Sequence, residues 1–288
     1  MASLRALQKA LPRKDLKEIL LARKGQSLPL GSVAQLPQDI LGTKPYLKDG
    51  IKVTTLNKPI KPGQLYQMVD FMKTNLYSTA PVPKALGFDS TPETSREVSD
   101  FMTDELEKLL TSGVSLSFEK DGRLVAVGGN MFWARDDSYQ VVEDVSMLEW
   151  NNTAAEIAEE SDCAHPQLIW RQYQWQFMYN LFQSELRRLD LPFGLFFSSG
   201  SKCPSIQGEK SINTEFILPL QEKVIRSGGL TCAYSSHNYV TKVMQAMLHK
   251  SYVADGAAYE DLNLRINGKN VFDSLHKMGG VKMIMGIP

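Results

Sequence analysis

The chain has 288 residues, with 32 Lys and Arg against 32 Asp and Glu, long enough for one large domain, or a domain plus an extension, with a sizeable core. Zero formal net charge supplies no overall field toward nucleic acid, membrane or an acidic partner, and no apolar run is long enough to span a bilayer. Cys163, Cys203 and Cys232 lack CxxC spacing and His165, His237, His249 and His276 are scattered, which argues against a disulfide framework or metal site and favours a reducing, cytoplasmic setting.

The first 24 residues carry seven basic side chains, Arg5 to Lys24, against Asp15 and Glu18, with Leu4, Leu7 and Leu11 and then Leu16, Ile19 and Leu20 at helical spacing. Such a start has two readings. It is a mitochondrial presequence, or, given the acids and the break at Pro12, a solvated helical arm that packs on the domain or on a partner. Residues 25–64 are punctuated by Gly and Pro and read as an extended linker, with a first strand at 51–56. We therefore divide the chain into a basic N-terminal extension and linker at 1–50 and a domain at 51–288.

A helix is expected at 64–76, from Leu65, Met68, Val69 and Met72, followed by a turn-rich segment at 77–87. Residues 95–110 form a second helix with Val98, Phe101, Met102, Leu106 and Leu109 on one face, ended by Gly113 as a C-terminal cap. Val114, Leu116 and Phe118 alternate with serines, and Asp121-Gly122 turns the chain into 124–127, the strongest short hairpin signal. Gly128-Gly129 then breaks or bulges the second strand before Met131-Phe132-Trp133.

Residues 134–165 are polar and acidic and read as loop with partial helix. A long helix at 167–189 carries Trp170, Tyr173, Trp175, Phe177, Tyr179 and Phe182, a stripe that serves as core or groove wall. Residues 193–197 are a compact apolar strand. A helix at 214–226 contains Pro219, which should kink or break it. A short strand at 230–234, a helix at 238–249 and two strands near 252–262 and 281–287 complete the chain. Antiparallel hairpin first, then strands alternating with helices, implies a mixed α/β (α+β) sheet flanked by helices.

That order, with three local segments, resembles the GNAT acyltransferase superfamily, in particular the invertebrate arylalkylamine N-acetyltransferase-like branch that includes dopamine acetyltransferases. The segments are residues 71–87 (FMKTNLYSTAPVPKALG), similar to the family's Phe…Asp-Glu-Pro…Leu-Gly opening; the hairpin at 113–133; and Tyr234-Ser235-Ser236-His237-Asn238-Tyr239-Val240-Thr241-Lys242-Val243-Met244, similar to the family's Cys-Ser-Ser-His-Tyr-Ser…Val-Met. Tyr259-Glu260-Asp261 also looks like the family's Tyr/Ala-Asp-Tyr region. The resemblance covers roughly residues 51–288 and implies a mostly antiparallel GNAT sheet, acetyl-CoA as co-substrate and a small arylalkylamine as acceptor, with direct transfer in a ternary complex.

The resemblance also locates a site. Residues Phe197, Ser198 and Ser199 would polarise the thioester. The loop Gln207-Gly208-Glu209-Lys210-Ser211-Ile212 stands where the family has Arg/Gln-Gly-x-Gly-x-Ala, so Gln207, Gly208, Lys210, Ser211 and, further on, Asn238 are the expected coenzyme A contacts. Lys210 and Ile212 replace small residues there; Lys210 offers a point charge to phosphate, while its Cβ crowds a loop whose backbone N–H groups must close on the anion. The family's glutamate base falls at Ala80, which cannot take a proton. Asp89 and Glu93 are neighbouring carboxylates, read as solvated. Ser235 matches the first of the family's catalytic serines or caps the following helix; the second serine falls at Val240. His237 reads as structural. Two outcomes follow from the resemblance: an amine N-acetyltransferase working without its usual base, or a non-catalytic GNAT-fold binding component with the N-terminal arm as its protein-binding element.

Overall fold

The structure is a computed structural model that describes residues 15–26, 40, 46–48, 50–56, 60–88, 94–111, 114–197, 201–202, 218–236, 242, 245 and 250–288. In chain order the elements are α1 (Leu16–Ala22), β1 (Tyr46–Lys48), β2 (Ile51–Leu56), α2 (Pro62–Met72) continued by a π-turn (Lys73–Tyr77), α3 (Pro81–Ala85), α4 (Arg96–Leu110), β3 (Ser115–Lys120), β4 (Arg123–Gly128) and β5 (Asn130–Ala134). Then follow α5 (Met147–Glu159), α6 (Pro166–Arg188), β6 (Phe193–Phe197), β7 (Ser201–Lys202), α7 (Leu218–Arg226), β8 (Leu230–Ser235), β9 (Ser251–Ala258), the hairpin β10 (Arg265–Ile266) and β11 (Lys269–Asn270), a 3₁₀ turn (Asp273–Met278) and β12 (Gly280–Gly286).

Two five-stranded sheets result, in the orders β1-β2-β3-β4-β7 and β5-β6-β8-β12-β9. Among the described pairs only β6 and β8 run parallel; the rest are antiparallel. The expected mixed, mostly antiparallel sheet flanked by helices is therefore present. Asp121 and Gly122 both take positive φ, 51° and 73°, as the two-residue hairpin turn requires. The break at Gly128-Gly129 moves the chain from one sheet to the other. A Cβ on Gly129 would lie 2.4 Å from Leu109 Cδ2, so glycine here lets α4 close on the strand junction.

Side-chain alternation sorts the two faces. Met131 and Trp133 of β5, Phe196 of β6 and Leu230 and Cys232 of β8 share a core with α2, α4, α5 and α6. Phe132, Phe193, Leu195, Phe197 and Ala233 pack on the other face with Val224 of α7. The aromatic stripe of α6 is largely core: Trp133 meets Tyr179 and Phe182 at centroid distances of 5.3 and 4.9 Å. Trp150 and Trp170 donate their indole N–H groups to Tyr173 O and Asn151 O, which joins α5 to α6 and satisfies both of these buried donors.

The partial helix expected within 134–165 is α5, which starts with Ser146 capping Glu149 N at 3.2 Å and puts Met147, Trp150, Ala154 and Ile157 on its buried face. Two expectations change. Residues 77–87 hold the short helix α3, with Pro81 in its first turn, where a missing N–H costs nothing. Pro219 is the second described residue of α7 (Leu218–Arg226), and residues 214–217, where the expected helix begins, lie outside the described residues. The segment at 252–262 ends as a strand at Ala258, and the Asn267-Gly268 turn, both residues at positive φ, builds the small hairpin β10–β11 before β12. Gly113 and most of the 238–249 helix lie outside the described residues.

The N-terminal helix α1 packs on its own domain. Asp15 caps it, Leu20 is fully buried, and Tyr173 Oη donates to Leu20 O at 3.0 Å. Gln176 Nε2 donates to Arg23 O at 3.0 Å, and the Arg23 guanidinium donates to Tyr139 Oη and Gln140 O while lying 5.0 Å from the Tyr139 ring centroid. Leu20→Ala should therefore destabilise the protein by about 2–5 kcal/mol, the usual cost of emptying a buried leucine site, seen as a lower urea midpoint. Lys17→Ala, which removes a solvent-screened ion pair to Glu160, should leave that midpoint nearly unchanged.

Candidate functional site

The parallel ladder of β6 and β8 ends at Phe197↔Ala233. Beyond it, Ser201 and Lys202 pair with Val127 and Ala126 of β4 in the other sheet, while Tyr234 and Ser235 continue beside Met283 and Lys282 of β12. Neighbouring parallel strands thus part company, because the first is drawn to β4 and the second stays with β12. Tyr259 Oη donates to Ser236 O at 2.8 Å and Tyr259 stacks on Phe272, fixing the end of β8 past this point.

On the α2–α4–α6 side of the parting lies a cleft of about 60 Å³, lined by Tyr77, Ala80, Glu105, Arg171, Trp175 and Tyr234 together with apolar side chains such as Leu109, Met178 and Phe196. Ala80 sits at the start of α3 because the π-turn ends at Tyr77 and Pro81 begins the next helix. Glu105 stands on the buried face of α4 beside Met102, Leu106 and Leu109, and Arg171 on the cleft side of α6. The sequence reading missed both. Their signal was a single acid on an apolar helix face and a single base among aromatics.

These two groups form a buried ion pair, 8 % exposed each. Arg171 Nε donates to Glu105 Oε2 at 3.0 Å and Nη2 to Oε1 at 2.9 Å, a bidentate fork. Tyr77 Oη donates to Glu105 as well. Arg171 Nη1 donates to Gln174 Oε1, whose amide Nε2 donates to Tyr234 Oη at 2.7 Å. The Arg171 guanidinium also lies 5.1 Å from the Trp175 ring centroid. A single network thus runs from α4 through α6 to the parted end of β8.

Burial pushes the Glu105 carboxyl up, but the Arg171 guanidinium and the hydrogen bonds from Arg171 and Tyr77 outweigh it, leaving the group below the usual glutamate value. Burial and then the Glu105 charge push the Tyr77 phenol well up. Burial does the same to Tyr234, against the Arg171 charge. At neutral pH the cluster therefore holds one carboxylate, one guanidinium and two protonated phenols, with no net charge.

Of the residues expected from sequence, Phe197 is buried at the last ladder pair on the α7 face. Ser235 is also buried and, two residues past Ala233, shares that face; Tyr234 and Ser236 face the cleft instead. Ala80 lines the cleft. Ser198, Ser199, Gln207, Gly208, Lys210, Ser211 and Asn238 lie outside the described residues, as do Asp89, Glu93, Ile212, His237 and Val240. Among the described residues no group of three or more His, Cys, Asp or Glu side chains could hold a metal ion, and no helix is long and apolar enough to cross a membrane.

A central sheet whose parallel strands part beside a cleft defines the fold of the GNAT N-acetyltransferases, and this chain has it. Arylalkylamine N-acetyltransferase 2 from Aedes aegypti is similar in structure at 13% identity, with TM-score 0.57 over 83% of this chain and 99% of that one. A polyamine N-acetyltransferase from Drosophila melanogaster, which forms N-acetylagmatine, matches at 14% identity and TM-score 0.54 over 83% and 100%. An agmatine N-acetyltransferase, in a mutant apo form, matches at 15% identity and TM-score 0.54 over 82% and 99%. No family model matches the sequence, and no curated protein matches it significantly.

Proposed function

We propose that this protein binds acetyl-CoA where β6 and β8 part and transfers the acetyl group to a small primary amine seated in the adjoining cleft. The observation that supports this most is the juxtaposition itself: the ladder ends at Phe197↔Ala233, and the cleft holding Ala80, Tyr77 and Tyr234 opens beside it. Strands that diverge leave room for an extended thioester arm, with Phe197 at the last paired position. Further coenzyme A contacts are assigned to Ser198, Ser199, Gln207, Gly208, Lys210, Ser211 and Asn238 on the sequence resemblance. Tyr77, Trp175 and Tyr234 supply aromatic surface for an arylalkyl body. The sparse cysteines suit a cytoplasmic protein.

In the reaction the amine nitrogen attacks the thioester carbon, a C–N bond forms, and the C–S bond breaks to release coenzyme A. The ammonium must shed a proton and the leaving thiolate must gain one. Tyr234, protonated at neutral pH and at the parted end of β8, is placed to give that proton. Ala80 can take none, and Glu105 has its oxygens engaged by Arg171 and Tyr77. The acceptor thus enters as the free base, and the proton its nitrogen sheds once the C–N bond has formed returns to the Tyr234 phenolate, which restores the phenol. Ser235, on the opposite face, is assigned to the acetyl-CoA side of the parting.

The same two facts, Ala80 and the engaged Glu105, favour a second reading, a non-catalytic GNAT-fold component that binds a protein partner through its N-terminal arm. Calorimetric titration of acetyl-CoA, with a non-acylated analogue alongside, separates the two. Micromolar binding followed by measurable acetylation in an amine panel supports the transferase. Tight binding with no product between pH 6 and 10 supports the second reading, and no binding at millimolar ligand removes the transferase altogether.

A further inference from the structure

Among the described residues the cleft contains one carboxylate, Glu105, and the protein's own guanidinium is already on it. Arg171 takes both carboxylate oxygens through Nε and Nη2 at 3.0 and 2.9 Å, and Tyr77 adds a third donor. Each of the paired side chains is at least nine-tenths buried, so solvent does little to screen either charge. The other polar groups of the cleft that face an entering molecule are the phenol of Tyr234 and Ser236, and neither carries charge. An acceptor whose far end is a second cation would find no free anion among the described residues of the cleft, because Arg171 already neutralises Glu105. Burying that cation without a counter-charge is costly, by roughly a hundredfold or more in affinity.

We infer that Arg171 is an internal occupant of the cleft's only cation subsite among the described residues, and that it restricts the acceptor to monoamines, excluding amines that end in a guanidinium or second ammonium group. This selectivity rests on the cleft being the acceptor pocket. Removing Arg171 opens the subsite: Glu105, still held by Tyr77, then accepts a guanidinium from solution in the geometry Arg171 used.

The test uses the full-length protein and two probes of similar length. Agmatine is a primary amine ending in guanidinium; n-hexylamine lacks the second charge. Wild-type protein should bind n-hexylamine at least 100-fold more tightly than agmatine. Arg171→Ala should reverse the order, and ethylguanidinium should raise its melting temperature by several degrees while leaving wild type unmoved. Adding Glu105→Gln to Arg171→Ala should abolish that rescue. Arg171→Met, which keeps the apolar stem, repeats the measurement if the alanine variant does not fold, and the wild-type comparison needs no variant at all. Agmatine binding wild type within threefold of n-hexylamine, binding of neither amine, or no guanidinium rescue in either variant would overturn the inference. Acetyl transfer is read separately with acetyl-CoA: its absence, with amine discrimination intact, removes the transferase reading and leaves the role of Arg171 standing.

Discussion

Replacing Glu105 by alanine should destabilise the protein by about 3–5 kcal/mol, as expected when one partner of a buried pair is removed and the other stays charged and desolvated. Arg171 would lose both carboxylate bonds while remaining buried among Trp175, Met178 and Phe196. The Tyr77 hydroxyl would lose its acceptor. Arg171→Ala should cost a similar amount, now leaving the carboxylate unpaired. The double replacement Glu105→Leu with Arg171→Met should recover much of the loss, because an apolar pair of similar volume is often as stable as the ion pair it replaces. Urea midpoints of wild type, Glu105→Leu, Arg171→Met and the double variant measure the coupling; additive losses would show that the two groups do not act as a pair.

The same pair sets an acid limit. The Glu105 carboxyl is depressed in the folded state, so the unfolded chain, with its ordinary value near 4.3, binds the proton more readily. The contribution is therefore complete above that unfolded value and is lost as pH falls through the folded one. Between neutral pH and about pH 3, Glu105→Gln should show a shallower loss of stability than wild type, read from urea midpoints along the pH series.

The second large effect concerns rate. On the proposed transferase reading, with no general base at Ala80, acetylation of an alkylamine should climb about tenfold per pH unit from 6 to 9, following the free-base fraction of an amine of ordinary pKa near 10.4. Glu105 does not flatten this slope, since a carboxylate held low by Arg171 is a weak acceptor and its oxygens are engaged. Ala80→Glu places a carboxylate at the rim of the cleft, at the junction of the π-turn and α3. It should raise kcat/KM at pH 7 by about 10², within the span that general bases supply, and bend the profile to a plateau. A wild-type plateau already present near pH 7 would mean that another group takes the proton.

Much of the architecture was legible because its causes are local. The Asp121-Gly122 turn specified the β3–β4 hairpin through two positive φ angles. Val98, Met102, Leu106 and Leu109 marked the buried face of α4, capped by Ser95. The apolar run of β6 was read to its ends. The miss at the β10–β11 hairpin was also local, since Asn267 with Gly268 is a turn signal that polar surroundings obscured.

The cleft was legible only at Ala80, through the family resemblance. Glu105 and Arg171 are 66 residues apart, and each alone reads as a charge bound for solvent. Which groups meet there depends on how α4 and α6 pack, and the site itself depends on β6 leaving β8 for the other sheet. By itself the sequence determined the turns, caps and apolar periodicities, which follow from φ/ψ preferences and hydrogen bonds within a few residues. The tertiary structure alone decided that Tyr234 faces the cleft while Ser235 shares the α7 face, and that the cleft's one carboxylate among the described residues is already neutralised. Long-range packing sets strand register and the partners of buried charges, and desolvation makes those choices energetically large.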